Sequence, residues 1–188
     1  MLGIIRDYKH VERPVLYLVV AEFFIQLINS SFMVIQPLYM KAEGFDDGST
    51  AGYISYRFLG VLLLALPVGL FIKKRRLKPL FYLSSFAVPT FALLIIFSIH
   101  EHIHWLINVS QFLWGSSFTF LQICSLPFIL RNAKKETHTE AIALNYSTWS
   151  FAGILGGFII GVLSWYNASL FNEENILIII SIVLNIWL

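Results

Sequence analysis

Residues 51–78 read AGYISYRFLGVLLLALPVGLFIKKRRLK. The first 22 of them hold one charge, Arg57, and five of the last six are lysine or arginine. A helix needs roughly 20 apolar residues to cross the hydrocarbon core of a bilayer. An apolar run of that length, ending abruptly in a cluster of cations, reads as a membrane span stopped at the water boundary. The same pattern recurs at 14–38, 79–99, 105–130 and 142–166. A last run, 176–188, has 13 residues, about 20 Å of helix against a core of roughly 30 Å. The expectation is an all-α, polytopic transmembrane bundle of six spans. The sixth is cut short, as though a longer protein lay behind the chain.

The bulk composition agrees. The chain is 57% hydrophobic and 13% charged, where soluble domains carry about 25% charged residues. Its mean hydropathy is +0.74. Cys124 is the only cysteine, so an internal disulfide is excluded. The first run exceeds signal-peptide length and has no small-residue cleavage site, so it reads as a retained span. Nucleic acid is not an expected partner; the lipid bilayer is.

The basic residues are divided unequally between the two sides. The tail 1–13 carries Arg6, Lys9 and Arg13. The loop after the second run carries Lys73, Lys74, Arg75, Arg76 and Lys78, and the loop after the fourth carries Arg131, Lys134 and Lys135. Of the thirteen basic residues only Lys41 and Arg57 lie elsewhere. The opposite loops hold Glu43, Asp46, Asp47, Glu101, Glu173 and Glu174. Short loops rich in Lys and Arg stay in the cytoplasm. A cytoplasmic N-terminus is therefore expected, in a plasma membrane of bacterial inner-membrane type.

A weak internal repeat is visible. A shift of 93 aligns Tyr53 with Tyr146, Phe58 with Phe151, Gly60 with Gly153 and Leu62 with Leu155. With three spans per copy, the two copies run in opposite directions through the membrane, and two inverted three-helix repeats are typical of transporters.

Polar residues within the runs are candidates for function. Glu22, Gln26, Asn29 and Gln36 share one helical face, with Met33 filling the missing step. A carboxylate at the bilayer centre costs on the order of 3 kcal/mol even on lenient scales, so this face must meet water or another polar helix. It reads either as a solute pathway, with Glu22 able to carry a proton or bind a cation, or as interhelical hydrogen bonding. Arg57 either snorkels toward Asp46 and Asp47 or faces the cavity and binds an anionic group. Gln111, Gly115, Gln122 and Ser125 share a face of the fourth run, and Asn145, Tyr146, Thr148 and Trp149 open the fifth. The third run has only hydroxyls, and a peripheral place is expected for it.

Gly153, Gly157 and Gly161 recur at every fourth position, a spacing that suits close helix packing. His100, Glu101, His102 and His104 crowd one loop without a metal-ligand signature, so neither metal nor cofactor is expected. Asn108, Asn145 and Asn167 begin glycosylation triplets, of which only Asn167 falls in an outer loop. No pair of catalytic side chains has a recognisable spacing, and an enzyme is not expected.

With six spans, an inside N-terminus, a basic second loop and a glycine-rich fifth span, the chain resembles the N-terminal half of a major facilitator superfamily transporter. Two motifs carry the likeness. The loop segment Gly69-Leu-Phe-Ile-Lys73-Lys74-Arg75-Arg76 keeps the family's glycine and basic character, but Lys73 replaces its acid and Arg76 its second glycine. Gln111-Phe-Leu-Trp-Gly115-Ser-Ser keeps the glycine and small residues, but Gln111 replaces an arginine linked to proton coupling. The stretch from Pro127 through Asn145 is similar to the loop between the fourth and fifth spans of bacterial members.

The resemblance implies one domain, 14–188, behind a cytoplasmic tail. A second six-helix domain would complete it, or a homodimer partner if the protein is naturally half-size. It implies a symporter or antiporter that moves a small solute by alternating access, coupled to a proton or another ion. The expected pathway residues are Glu22, Gln26, Asn29, Gln36, Arg57, Gln111, Gln122 and Asn145. The expected cytoplasmic gate loop comprises Gly69, Lys73, Lys74, Arg75 and Arg76. Efflux of amphipathic compounds and a non-transporting assembly or receptor role are the alternatives.

Overall fold

The computed structural model describes residues 11–73, 75–166 and 172–187. Arg6, Lys9, Lys74 and Asn167 lie outside the described residues. Among the described residues six α-helices follow one another: α1 Arg13–Ala42, α2 Asp47–Phe71, α3 Lys78–His100, α4 His104–Asn132, α5 His138–Tyr166 and α6 Glu173–Trp187. A 3-10 turn, Lys135–Thr137, precedes α5. The first five are long and apolar enough to cross a membrane. Most run past the apolar stretches into their polar flanks, because helix propensity does not stop where hydropathy does. Pro37, Pro67, Pro89 and Pro127 lie inside continuous helices.

Local chemistry sets the ends. Pro14 and Pro79 fall in the first turns of α1 and α3, where a missing N–H costs little. Asp46 caps α2, its carboxylate accepting the Ser49 N–H at 3.0 Å. α1 and α3 finish at the same end of the bundle by the same device. After α1, Phe45 N–H donates to Met40 O at 3.0 Å and Gly44 N–H to Lys41 O at 3.1 Å, with Gly44 at φ +86°. After α3, Ile103 N–H reaches Ser98 O and His102 N–H reaches Ile99 O, both at 3.0 Å. This double bond closes a helix through one left-handed residue. At α3 that residue is His102, at φ 54°, the only non-glycine with positive φ among the described residues.

The helices pair symmetrically. α2 packs on α4 and α5 on α1; α3 packs on α4 and α6 on α1; α1 meets α4, and α3 meets α6. Exchanging α1 with α4, α2 with α5 and α3 with α6 leaves these pairings unchanged, as two inverted three-helix repeats require. Ile28, Phe32, Val88, Ile95, Trp114 and Leu177 are among the side chains of the main core. A second cluster, including Val15, Val68, Cys124 and Phe128, fills the end that carries the basic residues.

α3 contributes no side chain to the polar interior described below, yet it packs closely on α4 and α6, with Val88, Ala92, Ile95 and Ile99 fully buried. The broad exposed faces belong to α2 and α5, with Leu62, Leu66, Leu70, Phe151, Ile154 and Phe158 open. A lack of polar side chains says nothing about burial in a bilayer, since apolar residues suit lipid and helix neighbours equally.

Among the described residues the glycine stripe on α5 meets no close neighbour: a Cβ on Gly157 or Gly161 would meet nothing within 4 Å, and one on Gly153 only the Ser30 hydroxyl, at 3.8 Å. The α5–α1 contact falls one residue over, at Gly156, where an added Cβ would lie 3.3 Å from a Leu27 methyl. The tightest crossing is α2 on α4. There a Cβ on Gly60 would strike the Phe112 carbonyl oxygen, and one on Gly115 the Arg57 carbonyl oxygen. Backbone meets backbone at both points, which only glycine permits.

Candidate functional site

The polar face of α1 serves two places. Toward the basic end, Glu22 is completely buried and its Oε1 accepts the Ser125 hydroxyl of α4 at 2.6 Å. Glu22 Oε2 has no hydrogen-bond partner among the described residues, nor has Oδ1 of the buried Asn145. Both residues line a cavity of about 180 Å³, with Gln122, Ser125, Tyr146 and Trp149. Two oxygen acceptors without a donor therefore face one small polar space. A proton on Glu22, a water molecule or a cation would satisfy them.

Farther along α1, Gln26 accepts a long hydrogen bond from Asn29, at 3.4 Å. Gln36 is fully buried and binds Arg57. Arg57 does not snorkel. It is 5% exposed, while Asp46 caps its own helix and Asp47 pairs with Lys41 at 3.5 Å. Arg57 Nε and Nη2 donate to Gln111 Oε1 at 3.2 and 3.1 Å, and Nη2 donates to Gln36 Oε1 as well. The Trp114 ring lies 3.7 Å from the guanidinium carbon, a cation–π contact. Arg57, Asn29, Met33, Trp114 and Gln122 border a second cavity of about 170 Å³. Gln122, half-buried, lines both cavities.

The predicted residues thus fall into two groups. Glu22, Gln122 and Asn145 meet in one; Asn29, Gln36, Arg57, Gln111 and again Gln122 meet in the other. Sequence reasoning missed Trp114 as the platform under Arg57, although it follows Gln111 by three positions and so shares its helical face. Ser125 was legible as a polar residue of α4 but not as the partner of Glu22.

The second loop is tied to α4. Arg131 donates from Nη1 to the Arg75 carbonyl at 2.7 Å and from Nη2 to the Ile72 carbonyl at 3.2 Å. Lys73, Arg75 and Arg76 are exposed, and Gly69 has open space before its Cα. At the same end Glu12 holds the loop before α5, accepting Lys134 N–H and the Thr137 hydroxyl, both at 3.1 Å. Desolvation opposes ionisation of Glu12, but these bonds and the backbone outweigh it and keep the carboxyl below its usual range.

The loop histidines separate. His104 Nδ1 lies 2.6 Å from the Tyr53 hydroxyl. His102 reaches the carbonyls of His100 and Glu43, which raises its pKa above the ordinary imidazole value. His100 sits 3.5 Å from Glu174, and with Glu43 these two bring ligand atoms within 4.8 Å of one another. The grouping joins α1, α3 and α6 rather than following the histidine run.

Long apolar helices, paired alike in the two halves around buried charged and amide side chains, define a polytopic membrane transport protein. The chain belongs to the Major Facilitator Superfamily, whose model matches residues 3–172. No curated protein and no solved structure matches it.

Proposed function

We infer that the chain is the N-terminal half of a secondary active transporter that moves a small solute by alternating access. Its basic end lies in the cytoplasm, and a second six-helix domain, or a second copy of the chain, closes the pathway against α1, α2, α4 and α5. Glu22 is the coupling group. The observation that carries this is the buried carboxylate with one oxygen unpartnered, lining a cavity opposite another unpartnered oxygen on Asn145. A site of that kind takes up a proton or a cation in one state and releases it in another. The coupling assignment does not need the family's arginine at position 111, because the acid on α1 supplies the titrating group.

The test uses proteoliposomes and a solute found by thermal-shift screening. Glu22→Gln is expected to abolish uptake driven by a proton gradient while leaving solute exchange intact. Uptake and exchange both unchanged would remove Glu22 from the mechanism.

A further inference from the structure

Arg57 has no carboxylate within ion-pair distance among the described residues, where the ion pairs are Lys41–Asp47 and His100–Glu174. Glu22 cannot serve. Gln36, which touches Arg57, lies fourteen positions along α1 from Glu22, about 21 Å at the rise of an α-helix. An isolated cation in a bilayer interior is costly and marks a functional position. The amides around it fix its place without balancing its charge.

The guanidinium is held on three sides. Trp114 covers one face at 3.7 Å, and Gln111 and Gln36 occupy Nε and Nη2. Nη1 differs: it is given only the Met33 sulfur, at 3.3 Å, and a thioether is a weak acceptor. Arg57 and Met33 both line the cavity of about 170 Å³, together with Asn29 and Gln122. Behind it, the buried Nε2 of Gln111 has no acceptor. Donors outnumber acceptors around this space, the reverse of the cavity at Glu22.

The geometry points to a binding site for a carboxylate of the transported solute. The oxyanion enters the cavity, displaces the Met33 sulfur from Nη1 of Arg57, and takes further N–H donors from Asn29 and Gln122. One cation balances one negative charge, so a monoanionic carboxylate fits and a phosphate dianion leaves charge uncompensated. The inference deepens the transport reading, on which the word solute rests; binding itself does not depend on it.

The experiment is thermal unfolding of the purified protein in lipid nanodiscs. The probes are propionate, benzoate, propionamide, benzamide and inorganic phosphate, at matched ionic strength. Either carboxylate is expected to raise the Tm, and the amides and phosphate are not. Arg57→Gln is expected to lose the response. Gln111→Glu places a carboxylate beside Arg57 within the protein, so it serves if Arg57→Gln does not fold. It is expected to raise the Tm without ligand and to weaken carboxylate binding roughly tenfold or more. Four results overturn the assignment: no response to either carboxylate, an equal response to the amides, a response to phosphate alone, or an unaltered carboxylate response in Gln111→Glu. The transport reading survives each of these: it stands or falls with solute uptake into proteoliposomes, and the coupling role of Glu22 with Glu22→Gln.

Discussion

The Ser125 hydroxyl donates to the Glu22 carboxylate at 2.6 Å and lies 2.8 Å from the Leu121 carbonyl, bridging α1 and α4, while the Asn145 side chain of α5 also hydrogen-bonds that carboxyl. Ser125→Ala removes this donor and leaves the carboxylate only the Asn145 side chain. A buried hydrogen bond to a charged group is worth about 1.5–3 kcal/mol. The variant is expected to lose stability on that scale when Glu22 is ionised, and less when Glu22 is protonated. Thermal unfolding of Ser125→Ala beside Ser125→Ala/Glu22→Gln checks this; equal losses in both backgrounds would contradict it.

The α2–α4 crossing makes a second expectation. Gly115→Ala drives a methyl into the Arg57 carbonyl and should cost about 1–3 kcal/mol. Gly157→Ala has open space before it and should leave the Tm unchanged within about 0.5 kcal/mol. Matched Tm measurements decide, and a larger loss at Gly157 would mean that α5 packs differently.

His102 should make stability depend on pH. Its Nδ1 lies 3.1 Å from the His100 carbonyl and its Nε2 2.9 Å from the Glu43 carbonyl. Both partners are acceptors, so both nitrogens must carry hydrogen, which is the imidazolium. Backbone hydrogen bonding to His100 and then Glu43 raises the pKa above the ordinary 6.5. The contribution is fully present below 6.5 and fades as pH rises through the higher folded value. His102→Asn tolerates the positive φ. It should lower the Tm more at about pH 5.5 than at about pH 8.5; a pH-independent difference would exclude the imidazolium.

Arg131→Gln should free the loop after α2. The Arg75 carbonyl loses the Arg131 donor and the Ile72 carbonyl keeps only the Arg75 N–H, and amide hydrogen exchange across residues 72–77 should speed up while the helices keep their protection. No local change would show that the loop is held by other contacts.

The spans and their polar residues were readable because the bilayer imposes a strict length and composition on each helix. Pairing was not readable. Glu22 and Gln36 occupy one stripe, but a helix of 30 residues carries them to different depths, where Glu22 meets Ser125 of α4 and Gln36 meets Arg57 of α2. Sequence spacing on α2 leaves loop acids and cavity equally open to Arg57, because it says nothing about Gln111 on α4. Gly60 and Gly115 share no spacing on one helix, and their close approach to the facing backbones exists only where α2 and α4 cross.

The touching of Gly115 on the Arg57 carbonyl has a mechanical meaning. With no side chain between the two backbones, α2 and α4 lock against each other at this point. The Arg57 guanidinium is thereby indexed to α2 by its own backbone and to α4 by Gln111 and Trp114, so that on the proposed transport reading the two helices would carry it as a single part.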